Sequence, residues 1–292
     1  MNNRLHRLHA EFGQSPWLDN LRRGWITGGQ LVALRDRGVR GLTSNPTIFQ
    51  KAIQGSADYD EQFSSLTRQR VSTSDAYWSL VLRDIDSALD VFAPIHESSG
   101  GEDGFVSVEV DPNLAHDGPG TLASARDLHQ RVARPNVMIK IPATREGLPA
   151  IRTMIGEGRS VNVTLIFSLE RYAEVLEAYV AGLEDLAAKS NASLAGVASV
   201  GSFFISRVDT EVDRRLETIG TPRALELRGK SAVAQGQLAY KMFLDTFSGP
   251  RWQQLATRGA RVQRPLWAST STKNPSYRDT LYVDELIGRS EE

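Results

Sequence analysis

Short apolar runs alternate with longer amphipathic ones along most of this chain. The runs Pro16–Asn20, Val39–Ser44, Phe105–Val110, Val137–Pro142, Ser160–Phe167, Gly196–Val200 and Pro265–Ser269 are rich in Val, Ile and Leu. Continuous apolar runs of that length suit strands buried on both faces. Between them, Trp78, Val81, Ile85, Leu89 and Phe92 recur at steps of three and four, as do Leu169, Tyr172, Val175, Leu176, Tyr179, Val180 and Leu183. Leu122, Ala125, Leu128 and Val132 form a shorter stripe of the same period. That spacing is the apolar face of an amphipathic helix. Ser168 and Thr121 stand where N-caps are expected. Strands alternating with helices predict parallel βα units, hence an α/β fold.

Two architectures share this pattern, a closed βα barrel and an open doubly wound sheet. No Gly-x-Gly-x-x-Gly follows the first strand, which argues against a dinucleotide-binding sheet. Polar groups stand at or near the C-terminal end of nearly every expected strand: Asp19, Asn45, Glu109, Lys140, Asn162 with Thr164, Ser202 and Ser269. Barrels build their chemistry from that end of many strands. The distribution therefore favours a TIM-type (β/α) barrel.

Composition narrows the chemistry. The 292 residues contain no Cys, which removes disulfides, thiolate metal sites and a Cys nucleophile. A formal charge of −1 argues against a broad nucleic-acid surface, while leaving room for a local basic pocket. The polar N-terminus lacks a signal-peptide core, and no apolar run reaches membrane-spanning length; a cytoplasmic protein is the expectation. The His positions (6, 9, 96, 116, 129) lie outside the apolar runs and read as surface residues. No His-x-x-x-His or Glu-x-x-His spacing suggests a metal site.

Lys140 is the sharpest feature, a single cation inside Val-Met-Ile-Lys-Ile-Pro. Burial favours the neutral, nucleophilic amine, which is what Schiff-base formation with a ketone requires. The same lysine can instead snorkel from a strand end or pair structurally with Glu109. Glu109 and Asp19 can divide acid and base roles, or can serve as an ion-pair partner and a helix cap. Asn45 before Pro46 is ordinary helix-start chemistry. Asn162 and Thr164, two apart on one strand, share a face and offer hydrogen bonds to substrate hydroxyls if that face is interior. Arg207 and Lys273 follow late strands, where barrels often bind phosphate; each is equally readable as surface charge.

Seven ordered stretches together resemble the transaldolase family, in its longer bacterial form. They are residues 15–20 (Ser-Pro-Trp-Leu-Asp-Asn), 41–49 (Gly-Leu-Thr-Ser-Asn-Pro-Thr-Ile-Phe), 106–112 (Val-Ser-Val-Glu-Val-Asp-Pro), 137–147 (Val-Met-Ile-Lys-Ile-Pro-Ala-Thr-Arg-Glu-Gly), 161–168 (Val-Asn-Val-Thr-Leu-Ile-Phe-Ser), 202–209 (Ser-Phe-Phe-Ile-Ser-Arg-Val-Asp) and 266–270 (Leu-Trp-Ala-Ser-Thr). The resemblance implies a class I aldolase-type barrel without metal or cofactor. It implies transfer of a dihydroxyacetone unit from sedoheptulose 7-phosphate or fructose 6-phosphate to glyceraldehyde 3-phosphate or erythrose 4-phosphate. By the same resemblance, Lys140 is the Schiff-base lysine, Glu109 the acid/base acting through a water, and Asp19 the base for carbon–carbon cleavage. Thr164 helps position the water, and Asn45 and Asn162 hold the bound dihydroxyacetone. Ser202 lies at a substrate position, and Arg207 and Ser269 bind phosphate. Ser271 stands where shorter relatives carry an arginine, so Lys273 is expected to supply that charge.

Two departures shape the remaining expectations. Helical insertions occupy about residues 50–100 and 208–262 of a single barrel domain. The resembled proteins continue past the helix at 282–287 with an eighth strand and a closing helix, whereas seven strands are recognisable here. An incomplete barrel is therefore expected, with a homo-oligomer covering the open edge. Two other functions fit the same departures: a transaldolase of specialised metabolism that uses ribose 5-phosphate to make a longer sugar, and a non-catalytic partner protein.

Overall fold

The computed structural model describes residues 3–189 and 192–287. It divides into two compact units, Met1–Leu114 with Ala123–Lys140, and Ala115–Leu122 with Ile141–Glu292. Seven parallel strands are present among the described residues, at or close to the seven apolar runs.

The first unit carries β1 (Trp17–Asp19), β2 (Gly41–Thr43), β3 (Val106–Glu109) and the first part of β4 (Val137–Pro142), in that spatial order. Its helices are α1 (Arg4–Phe12), α2 (Arg23–Thr27), α3 (Gln30–Asp36), α4 (Pro46–Gln54), α5 (Asp60–Arg68), α6 (Thr73–Ser98) and the greater part of α7 (Gly118–Val132). All six residues of β4 are buried, Lys140 among them. Leu80, Val81, Ile85, Ala88, Leu89 and Phe92 of α6 are buried too, as the stripe in the sequence requires. Trp78, which the same stripe includes, is only half-buried.

Three polar groups lock α2 to α6. The Arg23 Nε donates to Asp84 Oδ1 at 2.7 Å, and the Tyr59 hydroxyl donates to Asp84 Oδ2 at 2.8 Å. The guanidinium also lies 4.3 Å from the Tyr59 ring centre and donates to the Leu80 carbonyl. Burial pushes the Asp84 carboxyl above its ordinary range, opposed by its bonds from Arg23 and Tyr59. A buried pair of this kind holds only while every partner is present.

The second unit carries β5 (Val161–Ile166), β6 (Ser199–Phe204) and β7 (Gln263–Ala268), again parallel and in order. Its helices are α8 (Gly147–Gly156), α9 (Leu169–Ala187), α10 (Ser206–Ile219), α11 (Pro222–Leu225), α12 (Ser231–Thr246), α13 (Pro250–Ala256) and α14 (Leu281–Leu286). α8 and α9 pack closely at Gly182, where a Cβ would stand 2.7 Å from the Arg152 carbonyl and 2.8 Å from Ile155. Ser168 caps α9 through a bond from the Arg171 amide.

Several boundaries differ from expectation for local reasons. Thr121 is not an N-cap: α7 starts at Gly118, and the Asp117 side chain accepts from the Gly120 amide instead. β6 begins at Ser199 because Val197 is still in a turn, its amide bonded to the Leu194 carbonyl. Ser269 falls outside β7, at a left-handed φ of 59°. The histidines are not all surface residues: His96 is half-buried, its ring 5.0 Å from that of Phe105. No helix among the described residues is long and apolar enough to cross a membrane. The end of the chain beyond Ile287, on which the expectation of a missing eighth strand turns, lies outside the described residues.

Candidate active site

In the first unit, adjacent strands bring Lys140 and Glu109 together. The two are direct register partners across β3 and β4, and in-register neighbours on parallel strands present their side chains to one face. The Lys140 Nζ lies 3.2 Å from Glu109 Oε2 and donates to the Ser44 carbonyl at 3.1 Å. Their side chains are 8% and 11% exposed, so the pair is largely dry. Burial pushes the Glu109 carboxyl above its ordinary range; Lys140 pulls it down, and the charge of Asp19 pushes it up. Asp19 ends β1 opposite Thr43 and is exposed. It caps no helix, since α2 begins at Arg23 with Arg22 in the N-cap position and no side-chain cap.

Asn45 does cap α4: its Oδ1 accepts from the Ile48 amide at 3.0 Å, with Pro46 in the first turn. The ordinary helix-start chemistry expected from the sequence is therefore present, and the Asn45 amide nitrogen stays available. One residue earlier, Ser44 is fully buried, its hydroxyl on the Ser107 carbonyl and its own carbonyl on Lys140.

In the second unit, Asn162 and Ser202 are both buried, and the Ser202 hydroxyl donates to Asn162 Oδ1 at 2.8 Å. Thr164 is 1% exposed, and its hydroxyl has no hydrogen-bond partner among the described residues. Buried hydroxyls are nearly always satisfied, so an orphan one marks a place for water or ligand. The strand is irregular just here: Leu165 has φ 63°, and the β5–β6 register shifts between Val163 and Ile166. Ser269 shares a hydrogen bond with Ser206 at 2.9 Å, and the Ser206 amide donates to the Ser269 carbonyl. Ser206 opens α10, and Arg207 follows it, exposed, with its guanidinium 4.8 Å from the Phe204 ring centre. The amides at a helix start and a nearby guanidinium together suit a phosphate. Lys273 is exposed and donates to the Ser271 hydroxyl at 2.6 Å.

The sequence reading missed Ser44, Ser206 and Tyr77, a half-buried tyrosine of α6 that senses the charges of Glu109 and Asp111. The first two lie inside stretches already singled out, but act through a backbone carbonyl and a bond to Ser269, which residue type does not signal. Among the described residues, no cluster of His, Asp or Glu is arranged to hold a metal.

Residues 16–291 match the family described as Transaldolase/Fructose-6-phosphate aldolase. The chain belongs to this family. Its curated relatives include Transaldolase 1 of Streptomyces avermitilis, 53% identical over 284 residues, covering 97% of this chain and 75% of the relative. The transaldolase of Saccharopolyspora erythraea is 53% identical over 287 residues, covering 98% and 77%. That of Acidothermus cellulolyticus is 54% identical over 276 residues, covering 94% and 74%. The protein is an enzyme of the transaldolase type, a transferase of carbohydrate metabolism with the TIM-type (β/α) fold of its family.

Proposed function

We propose that the protein moves a dihydroxyacetone unit between sugar phosphates through a Schiff base on Lys140. The donor is sedoheptulose 7-phosphate or fructose 6-phosphate, and the acceptor is glyceraldehyde 3-phosphate or erythrose 4-phosphate. The setting is the pentose phosphate pathway in the cytoplasm.

One observation carries the reading: a buried lysine held 3.2 Å from a carboxyl whose affinity for protons is raised by burial. Proton transfer from ammonium to carboxylate within that pair leaves a neutral amine beside a neutral acid. The amine adds to the ketone carbon, and the resulting carbinolamine loses water with Glu109 as acid, acting through a water. Asp19 then takes the proton of the hydroxyl borne by the far carbon of the bond to be cleaved, which becomes the aldehyde carbonyl. The carbon–carbon bond breaks, the aldose phosphate leaves, and its bonding electrons remain as an enamine on Lys140. Addition of that enamine to the acceptor aldehyde, followed by hydrolysis, completes the transfer.

The remaining residues take roles consistent with their surroundings. The unpartnered Thr164 hydroxyl suits a role in positioning a water. Asn45, Asn162 and Ser202 offer hydrogen bonds to the dihydroxyacetone unit. Arg207 and Ser269 bind phosphate, whereas Lys273 contributes charge from an exposed position.

The test is trapping. Incubation with fructose 6-phosphate and reduction with borohydride is expected to add one three-carbon unit to the intact mass, located on Lys140. No adduct, under conditions that label a characterised relative, refutes the mechanism. Turnover with erythrose 4-phosphate, glyceraldehyde 3-phosphate and ribose 5-phosphate then identifies the acceptor; preference for ribose 5-phosphate would move the enzyme to a different pathway. Light scattering determines whether it works as a homo-oligomer.

A further inference from the structure

We propose that Tyr77, carried by the inserted helix α6, is a positioning residue for Glu109, its phenol donating to the water through which that carboxyl acts. The proposal rests on the Schiff-base reading above and adds a residue to it.

The argument begins at the far end of the helix. α6 and β3 are consecutive and joined by a short connection, so they run in opposite directions. Gly104, in the left-handed region at φ 77°, sits directly against the Phe92 carbonyl and the His96 amide, with no space for a Cβ. The His96 ring packs on Phe105, its Nδ1 is 3.0 Å from the Asp103 carbonyl, and the Asn136 amide bonds both the Leu89 and Gly104 carbonyls. The end of α6 is thereby pinned to the start of β3. From Phe92 back to Tyr77 the helix spans about 22 Å. From Gly104 on to Asp111 the extended chain spans about 23 Å. The two lengths match, so Tyr77 stands level with the end of β3, where Glu109 and Asp111 are.

The chemistry there suits a donor. The Tyr77 ring is held edge-on against Trp78, 5.4 Å between centres, and is half-buried. Its hydroxyl bonds to no protein group among the described residues. Burial pushes its pKa up to about 12, helped by the charges of Asp111 and Glu109, so the phenol keeps its proton throughout the working range. The charged groups around Glu109 are Lys140 from β4 and Asp19 from β1, with Asp111 in its own segment. Neither acid can donate when ionised, and Lys140 is engaged by Glu109 and Ser44. Tyr77 supplies a neutral donor at this end of β3. A donor to the charged form also favours the carboxylate.

Tyr77→Phe tests the proposal. The expected result is a kcat about tenfold lower, the loss of one hydrogen bond, with KM little changed. The acidic limb of the kcat/KM profile should move to higher pH. Borohydride trapping on Lys140 should persist in the variant. Tyr77→Gln keeps a donor and should hold the limb at its parental position. A Tyr77→Phe profile superposable on the parent's overturns the proposal, as does an equal shift in the Phe and Gln variants, which would assign the residue to packing. Loss of trapping in the parent itself would instead overturn the Schiff-base reading.

Discussion

Replacing Lys140 with Met tests the ion pair more sharply than it tests catalysis. The substitution keeps the side-chain volume and removes the charge 3.2 Å from Glu109. A carboxylate that is 11% exposed then loses the cation paired with it, with Asp19 still acting on it unfavourably. Breaking one side of a buried pair costs about 3–5 kcal/mol. The residual exposure of Glu109 points to the lower end, a fall in melting temperature of about 6–12 °C at roughly 2–4 °C per kcal/mol. The penalty has a signature in pH. Glu109 already holds its proton above the unfolded-state value of about 4.3, so the stability it contributes is present below that value and lost as pH rises through its folded value. Without Lys140 the folded value rises further, and the loss continues to higher pH, by about 1.4 kcal/mol per unit. Between pH 5 and pH 8 the gap between variant and parent should therefore be smallest at the acid end and widen as pH rises. Thermal unfolding of both proteins across that range reads it directly, and adding Glu109→Gln to Lys140→Met should recover most of the loss. Parallel melting curves from pH 5 to 8 would refute the reasoning, because the pair would then contribute nothing as an ion pair.

Three further outcomes follow from geometry already described. Asp84→Asn should lower stability by about 3 kcal/mol, since it strands the Arg23 guanidinium in the interior; a change under 1 kcal/mol in urea unfolding would contradict the buried lock. Gly104→Ala should destabilise by more than 2 kcal/mol, because its Cβ meets the α6 backbone in a left-handed conformation, and an unchanged melting temperature would show that α6 is not pinned there. Arg207→Ala should raise KM for phosphorylated sugars about tenfold or more while leaving borohydride trapping of unphosphorylated dihydroxyacetone intact. An equal loss with both ligands would remove Arg207 from phosphate recognition.

The strands were legible because buried parallel strands must be apolar nearly throughout, which makes a lone Lys140 conspicuous in β4 and Glu109 in β3. Their pairing was legible only as one option among several, since register is a tertiary property. Asn45 shows two signals coexisting: the cap that its position before Pro46 announces is formed, and that bond uses only one side of its amide. Thr121 was misread because Asp117, four residues earlier, competes for the same helix start. Ser44 and Tyr77 escaped notice for different reasons. The first contributes a carbonyl, which every residue has. The second becomes significant only when a helix some thirty positions earlier in the chain is laid alongside β3.

The Ser44 carbonyl beside Lys140 has a stoichiometric consequence for the proposed reaction. A primary ammonium has three hydrogens and can satisfy both that carbonyl and the Glu109 carboxylate. An iminium nitrogen has one. Once substrate is bound covalently, two acceptors compete for a single hydrogen, and one of them must let go. The Ser44 carbonyl is fixed by the backbone, with its own hydroxyl tied to Ser107, whereas Glu109 has a side chain that can turn. Condensation with substrate is thus itself the event that frees the carboxyl to handle water, so the acid–base group is released in step with the intermediate that needs it.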